Sequence, residues 1–389
     1  MDTVALAHAC RALGDACYDG SGAPIDRERA VKWYREAADQ GDARAQYFLG
    51  VCYEQGDGAP KDHEVALEWY RKAAEQDDCD AQHAIGRAYE SGRGVQQDRA
   101  LAAVWYQKSA AHGGADARDS LARAHYLLGR EYATGNTEYA VTWYHKAADQ
   151  GFVEAQLELG RAYYVGKGAM RDFGESAKWY RKAAEQGSVH AEFWMGEAYI
   201  YGTGVSKSAE VAVEWYRKAA EHGHVSAQRI MGDSYRFGKG VTEDGAVAVE
   251  WYRKAAEQGS LYAQVEIGDA YFFGKGVQKD FVVSVAWYLK AAEQGNSQAQ
   301  CSLGDAYFFG KGVHKDFVVS VAWYLKAAEQ GNSRAQFFLG ICHERGYGVT
   351  RDAEIAVEWY FKAARKGHVE AQKKLADIKK SHGPTLIKK

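Results

Sequence analysis

Proline is nearly missing from this 389-residue chain, occurring only as Pro24, Pro60 and Pro384. Without the residue that most strongly breaks helices, and with abundant Ala, Glu, Lys and Arg, the chain can run as helix almost end to end. Long apolar runs are missing too. No stretch approaches the roughly 18 apolar residues that cross a bilayer, and Met1-Asp2-Thr3-Val4 lacks the basic start and apolar core of a cleaved signal. Membrane insertion is therefore not expected. Cysteine is sparse and irregular, at positions 10, 17, 52, 79, 301 and 342. A disulfide-stapled repeat would place a pair in every unit, so these read as reduced thiols and the chain as cytoplasmic. A surplus of charge is also absent, the formal net value being −3. That leaves no basic field for a phosphate backbone, and basic residues such as Arg71, Lys72, Arg253 and Lys254 alternate with acids. Nucleic acid is not an expected partner.

Aromatic side chains, by contrast, are plentiful and in register. Of 26 Tyr and 11 Trp, ten Trp-Tyr dipeptides begin at 33, 69, 105, 143, 179, 215, 251, 287, 323 and 359. Every step is 36 residues except one of 38, and only Trp194 falls outside the pattern. A fixed period of this length marks stacked supersecondary units. Segments 268–300 and 304–336 differ only at Gln278/His314 and Gln298/Arg334, as an internal duplication would leave them.

The period resolves into two helices. Seven residues before each Trp stands Asp26, Asp62, Asp98, Asn136, Asp172, Ser208, Asp244, Asp280, Asp316 or Asp352, all able to cap a first helical turn. Eight residues after each Trp stands Gly, with Asp77 as the single departure, and glycine suits the left-handed residue that ends a helix. These signals bracket helix B. Helix A lies between that Gly and a Gly-x-Gly pair such as Gly274-x-Gly276. A second Gly recurs inside it, for example Gly50, Gly268 and Gly304, at a cost of about 1 kcal/mol relative to alanine. The expected return is close approach of helix B, with the Trp ring over the notch.

These residues resemble the Sel-1-like repeat, a branch of the tetratricopeptide-like superfamily. Its pattern Ala-Gln-x-x-Leu-Gly-x-x-Tyr-x-x-Gly-x-Gly-Val-x-x-Asp…Trp-Tyr-x-Lys-Ala-Ala-Glu-x-Gly is met nearly in full by 299–331, and the resemblance covers about 4–380. It implies a right-handed α-solenoid of ten helix-turn-helix repeats plus a C-terminal capping helix. The expected organisation is one solenoid over 1–380 with a basic tail at 381–389. The fourth repeat, at about 114–150, is irregular: an insertion near Gly113–Leu121 should lengthen its helix A or the approach to it, and its A–B loop shrinks to Gly135-Asn136.

Chemistry finds little support. The Gly-Lys-Gly loops do not complete a phosphate-binding Gly-x-x-x-x-Gly-Lys-Ser/Thr and recur in register with the turns. His222 and His224 lack a convergent Cys or carboxylate set. No nucleophile elbow, His-Glu-x-x-His or dinucleotide fingerprint occurs. No enzyme activity, cofactor or metal is expected. The resemblance implies a scaffold or adaptor that takes a partner protein or peptide on the concave helix A side; the alternative is an immunity-type clamp on one enzyme.

Counted from the helix A Gly, groove positions lie six and three before it and one, four and five after. In the first half they are mixed and polar: Arg44, Tyr47, Asp80, His83, Arg87, Glu90, Arg130 and Arg161. In the second half they are Tyr164, Phe193, Tyr201, Arg229, Arg236, Phe237, Phe272, Phe273, Phe308, Phe309 and Phe337, beside an acidic row of Glu197, Asp233, Asp269 and Asp305. Exposed rings mark interaction surfaces, so this half is expected to hold an extended or helical peptide by apolar anchors, the acids favouring its Lys or Arg. The competing expectation is that one Phe of each pair packs against the next repeat. A monomer is the favoured state.

Overall fold

The computed structural model describes residues 3–21 and 24–382, and every regular element among them is an α-helix. The chain divides into two compact units. The first runs to Ala191 and includes Thr203–Val205; the second comprises Glu192–Gly202 and the residues from Ser206 on. The first holds α1 (Thr3–Asp19), α2 (Arg27–Asp39), α3 (Ala43–Gln55), α4 (His63–Ala74), α5 (Cys79–Ser91) and α6 (Arg99–Ala111). It continues with α7 (Ala117–Tyr132), α8 (Thr137–Asp149), α9 (Val153–Val165) and α10 (Phe173–Glu185). The second holds most of α11 (Val189–Tyr201), then α12 (Ala209–Glu221), α13 (Val225–Phe237), α14 (Gly245–Glu257), α15 (Leu261–Phe273) and α16 (Phe281–Glu293). It ends with α17 (Ser297–Phe309), α18 (Phe317–Glu329), α19 (Ser333–Arg345), α20 (Ala353–Arg365) and α21 (Val369–His382). Odd-numbered helices are type A and even-numbered are type B, so ten hairpins are followed by one more A helix. Of the expected basic tail, 383–389 lies outside the described residues.

Local chemistry sets these boundaries. All ten short polar residues before helix B accept a backbone N–H of the first turn; Asp280, for instance, accepts from Val282 at 2.9 Å and Val283 at 3.0 Å. The glycines eight residues after Trp have φ between 82° and 93°. Asp77, where that glycine is replaced, takes the same conformation at φ 63° and is the one non-glycine residue with positive φ among those described. In the fourth repeat α7 is 16 residues long against 13 for most A helices, so helix A takes up part of the insertion and the approach to it takes the rest.

The ring over the helix A notch is the tyrosine, not the tryptophan. A Cβ at Gly86 would lie 2.6 Å from Tyr106 Cδ1, and one at Gly160 2.6 Å from Tyr180 Cδ1. One residue along a helix turns the side chain by about 100°, which separates the two rings' tasks. Tyr faces helix A of its own hairpin. Its hydroxyl reaches a helix A carboxylate: Tyr70 to Glu54 at 2.7 Å, Tyr252 to Asp233 at 2.7 Å, Tyr324 to Asp305 at 2.7 Å. Trp instead joins the core between one repeat's helix B and the next repeat's helix A. Trp69 of α4 packs on the α2–α3 cluster, Trp105 on α4–α5 and Trp359 on α18–α19. In nine of ten repeats a lysine three residues on covers its ring, as Lys72 does Trp69 at 3.9 Å.

Two further devices hold repeats in register. A buried helix A glutamine donates to a carbonyl near the end of the preceding helix B and accepts from a residue of its own helix B's end. Gln264 donates to the Ala256 carbonyl at 3.2 Å and accepts from Gln294 at 3.1 Å. Variants conserve the bond: His112 meets Gln82, Gln150 meets His125, and His222 meets the buried carboxylate of Glu192 at 2.8 Å. The second glycine of each Gly-x-Gly lies against the first turn of the preceding helix B. A Cβ at Gly312 would overlap the Phe281 carbonyl, and its φ of +76° disfavours any other residue.

Candidate functional site

Helix A ends, five residues after its internal glycine, where a left-handed glycine turns the chain. The side chain at that last position escapes its own hairpin. In four successive repeats it is aromatic: Tyr201 is 69% exposed, Phe237 54%, Phe273 58% and Phe309 51%. These residues belong to the second unit.

The other sequence-expected residues are more deeply engaged. Phe272 contacts Phe273 and Phe281, and Phe308 packs among Phe309, Phe317, Tyr324, Phe338 and Tyr347. So one ring of each Phe pair is packed, and the other, Phe273 or Phe309, is exposed over about half its surface, with Phe309 meeting Phe338 of the next repeat at 6.1 Å. Phe193 stacks on His224 at 4.4 Å and Phe337 on His368 at 4.6 Å, while Tyr164 meets Phe173 at 5.4 Å. In the first unit the polar groove residues are engaged within the unit: Arg44 with Asp80, Arg87 with Glu54 at 3.4 Å, His83 with Ser120 at 2.9 Å, and Tyr47 under the Arg44 guanidinium at 5.0 Å. Glu90 accepts from Arg123 at 2.8 Å, while Arg130 and Arg161 are exposed.

The acidic row is occupied internally. Glu197, Asp233, Asp269 and Asp305 each accept a tyrosine hydroxyl, from Tyr216, Tyr252, Tyr288 and Tyr324. Burial and these carboxylates hold the tyrosine hydroxyls well above their usual range, so they stay protonated donors. Arg229 also pairs with Asp233 at 2.7 Å and Arg334 with Asp305 at 2.6 Å, while Arg236 pairs with Glu266. Burial raises the Asp305 pKa despite the Tyr324 hydroxyl and Arg334. The twin repeats diverge here, because Asp269 has Gln298 where Asp305 has Arg334.

Four of the expected residues come together. Arg236, Phe237, Asp269 and Phe273 line an open cavity of about 680 Å³ with Tyr252, Glu266 and Lys275, between the ends of α13 and α15. Its lining mixes aromatic rings with five charged residues, Arg236, Glu243, Glu266, Asp269 and Lys275. Among the described residues no three His, Cys, Asp or Glu side chains converge on a point that could hold a metal ion. No described helix is long and apolar enough to cross a membrane. The sequence reading missed the tyrosine–carboxylate bridges. A carboxylate stands one or four residues after the helix A glycine in eight repeats, at 15, 54, 90, 197, 233, 269, 305 and 344. That alternation, one helical turn apart, is the signal that could have found them.

The Sel1 repeat pattern matches ten stretches: 7–42, 43–78, 79–114, 121–152, 153–188, 189–224, 225–260, 261–296, 297–332 and 333–368. The chain belongs to the Sel1 repeat family. Among solved structures this Sel1 repeat protein is similar to c5321, a protective antigen present in uropathogenic Escherichia coli strains. The two are 35% identical, the match covers 98% of this chain and 81% of that one, and the TM-score is 0.68. It is also similar to a Sel1 repeat protein from Oxalobacter formigenes, at 36% identity over 61% of this chain and 96% of that one, with a TM-score of 0.51. No curated protein is matched by the chain. Sel1 repeats form α-solenoids of helical hairpins, a fold typical of non-enzymatic protein-interaction scaffolds.

Proposed function

We propose that this Sel1 repeat protein is a non-enzymatic adaptor that takes a partner protein or peptide along the helix A ends of repeats six to nine. One observation carries the reading: Tyr201, Phe237, Phe273 and Phe309 present a ring at the same register position in four successive repeats. Exposed apolar surface is unfavourable in water, and a periodic row of it fits a partner that repeats its own anchors. The cavity lined by Phe237, Phe273 and Tyr252 supplies one seat along this row. Its scattered free thiols favour a reducing compartment, and the reading places the chain in the cytoplasm.

The test is capture from native lysate by the whole chain and by its Phe237→Ala/Phe273→Ala/Phe309→Ala variant. Phe272 and Phe308 are left alone because their rings are packed. The expected outcome is loss of the captured partner with the helical circular-dichroism signal and thermal midpoint nearly unchanged. Unchanged capture by a folded variant would contradict the reading.

A further inference from the structure

The duplicated repeats carry an identical text, Tyr-Phe-Phe-Gly-Lys-Gly-Val-x-Lys-Asp-Phe, at 271–281 and 307–317. It places two lysines in each turn beside the exposed ring. Their ammonium groups lie at rings: Lys275 lies 5.6 Å from the Phe273 centroid, Lys279 5.3 Å from Phe281, Lys315 4.6 Å from Phe317 and Lys311 4.8 Å from Phe272, while Lys311 also attracts the Asp305 carboxylate and Lys275 shares its cavity with Glu243, Glu266 and Asp269. The carboxylates nearest in sequence are otherwise employed. Asp280 and Asp316 each cap a helix through two backbone N–H groups, and Asp269 and Asp305 hold Tyr288 and Tyr324. Two exposed rings and four cations at rings therefore face one edge of the second unit. This is the reverse of the charge preference that the acidic row suggested.

We propose that this twin edge binds an acidic peptide in extended form, with apolar anchors on Phe273 and Phe309 and carboxylates on Lys275, Lys279, Lys311 and Lys315. The inference rests on the adaptor reading and adds the partner's chemistry. Phe273 and Phe309 end successive A helices, α15 and α17, which both pack on α16, and an extended chain advances about 3.3 Å per residue. The anchors are therefore expected one repeat apart, several residues of extended chain, with Asp or Glu between them. Carboxylates arriving at the lysines gain their charge while the lysines keep their ring contacts.

The experiment is selection of a displayed library of random 12-residue peptides on the full chain, followed by affinity measurements on the selected peptides. Acidic sequences with two apolar residues several positions apart are expected. Their affinity should fall about tenfold when Lys275, Lys279, Lys311 and Lys315 are changed together to Gln. It should fall similarly for the unmodified chain between about 50 mM and 500 mM salt. Phe273→Ala/Phe309→Ala should abolish binding. Peptides rich in Lys or Arg that still require the two Phe would overturn the acidic assignment and leave the adaptor reading standing. Acidic peptides indifferent to the Phe pair would overturn the proposal, and failure to select any peptide would overturn both.

Discussion

Asp77 occupies the position that nine other repeats give to glycine, and it takes the same left-handed backbone at φ 63°. An L side chain there is disfavoured by about 1 kcal/mol, aspartate less than most. Asp77→Gly should therefore stabilise the protein by up to about 1 kcal/mol in denaturant titration. His125 takes the place of the buried glutamine in the fourth repeat and accepts from Gln150 at 3.1 Å through Nδ1. Burial, with help from Lys146, lowers its pKa from the usual 6.5 to about 4. The folded state thus prefers the neutral ring. Its stability contribution is complete above about pH 6.5 and is lost as pH falls toward 4, by about 2 kcal/mol after allowing for partial solvent screening. His125→Gln should flatten the midpoint-versus-pH curve across that window; an unchanged curve would rule out His125 as its source.

At the scale of the helix, caps and stops were legible because they are local: a short polar side chain before helix B and a glycine after it act within one turn. Which ring covers the helix A glycine was not legible. Trp and Tyr are adjacent and both apolar, and only packing against the preceding repeat decides which faces outward from the hairpin. The same limit applied to the Phe pairs. Phe308 is packed because Phe338 and Tyr347 of the following repeat meet it, whereas Phe309, one step round the helix, ends where the chain turns away. Acidic groove positions were recognised as a row, but their tyrosine partners 16 or 19 residues away belong to the other helix of the hairpin. The tyrosine notch makes its own prediction. Gly86→Ala gains about 1 kcal/mol of helix propensity but drives Cβ to 2.6 Å from Tyr106 Cδ1. Overpacking should win, giving a net loss of about 1–2 kcal/mol in thermal or urea unfolding.

Across the whole molecule, stability and recognition use different residues of one repeat. The Tyr notch, the Trp seam, the glutamine bond and the Gly-x-Gly contact bind helix to helix, and nearly every repeat has most of them. Stacks of this kind gain stability from each unit and its neighbours, which leaves positions outside those contacts free to vary. The last residue of helix A is such a position: Asp19, Gln55, Ser91, Tyr132 and Val165 in the first unit, aromatic in four successive repeats from Tyr201 to Phe309 in the second, and Arg345 after them. Hydrogen exchange of the captured complex against the free chain, read by mass spectrometry, tests this separation most directly. The account predicts added protection at the ends of α11, α13, α15 and α17 and the glycine turns that follow them, with the first unit unchanged. Protection confined to the first unit, or spread evenly over all ten repeats, would contradict it.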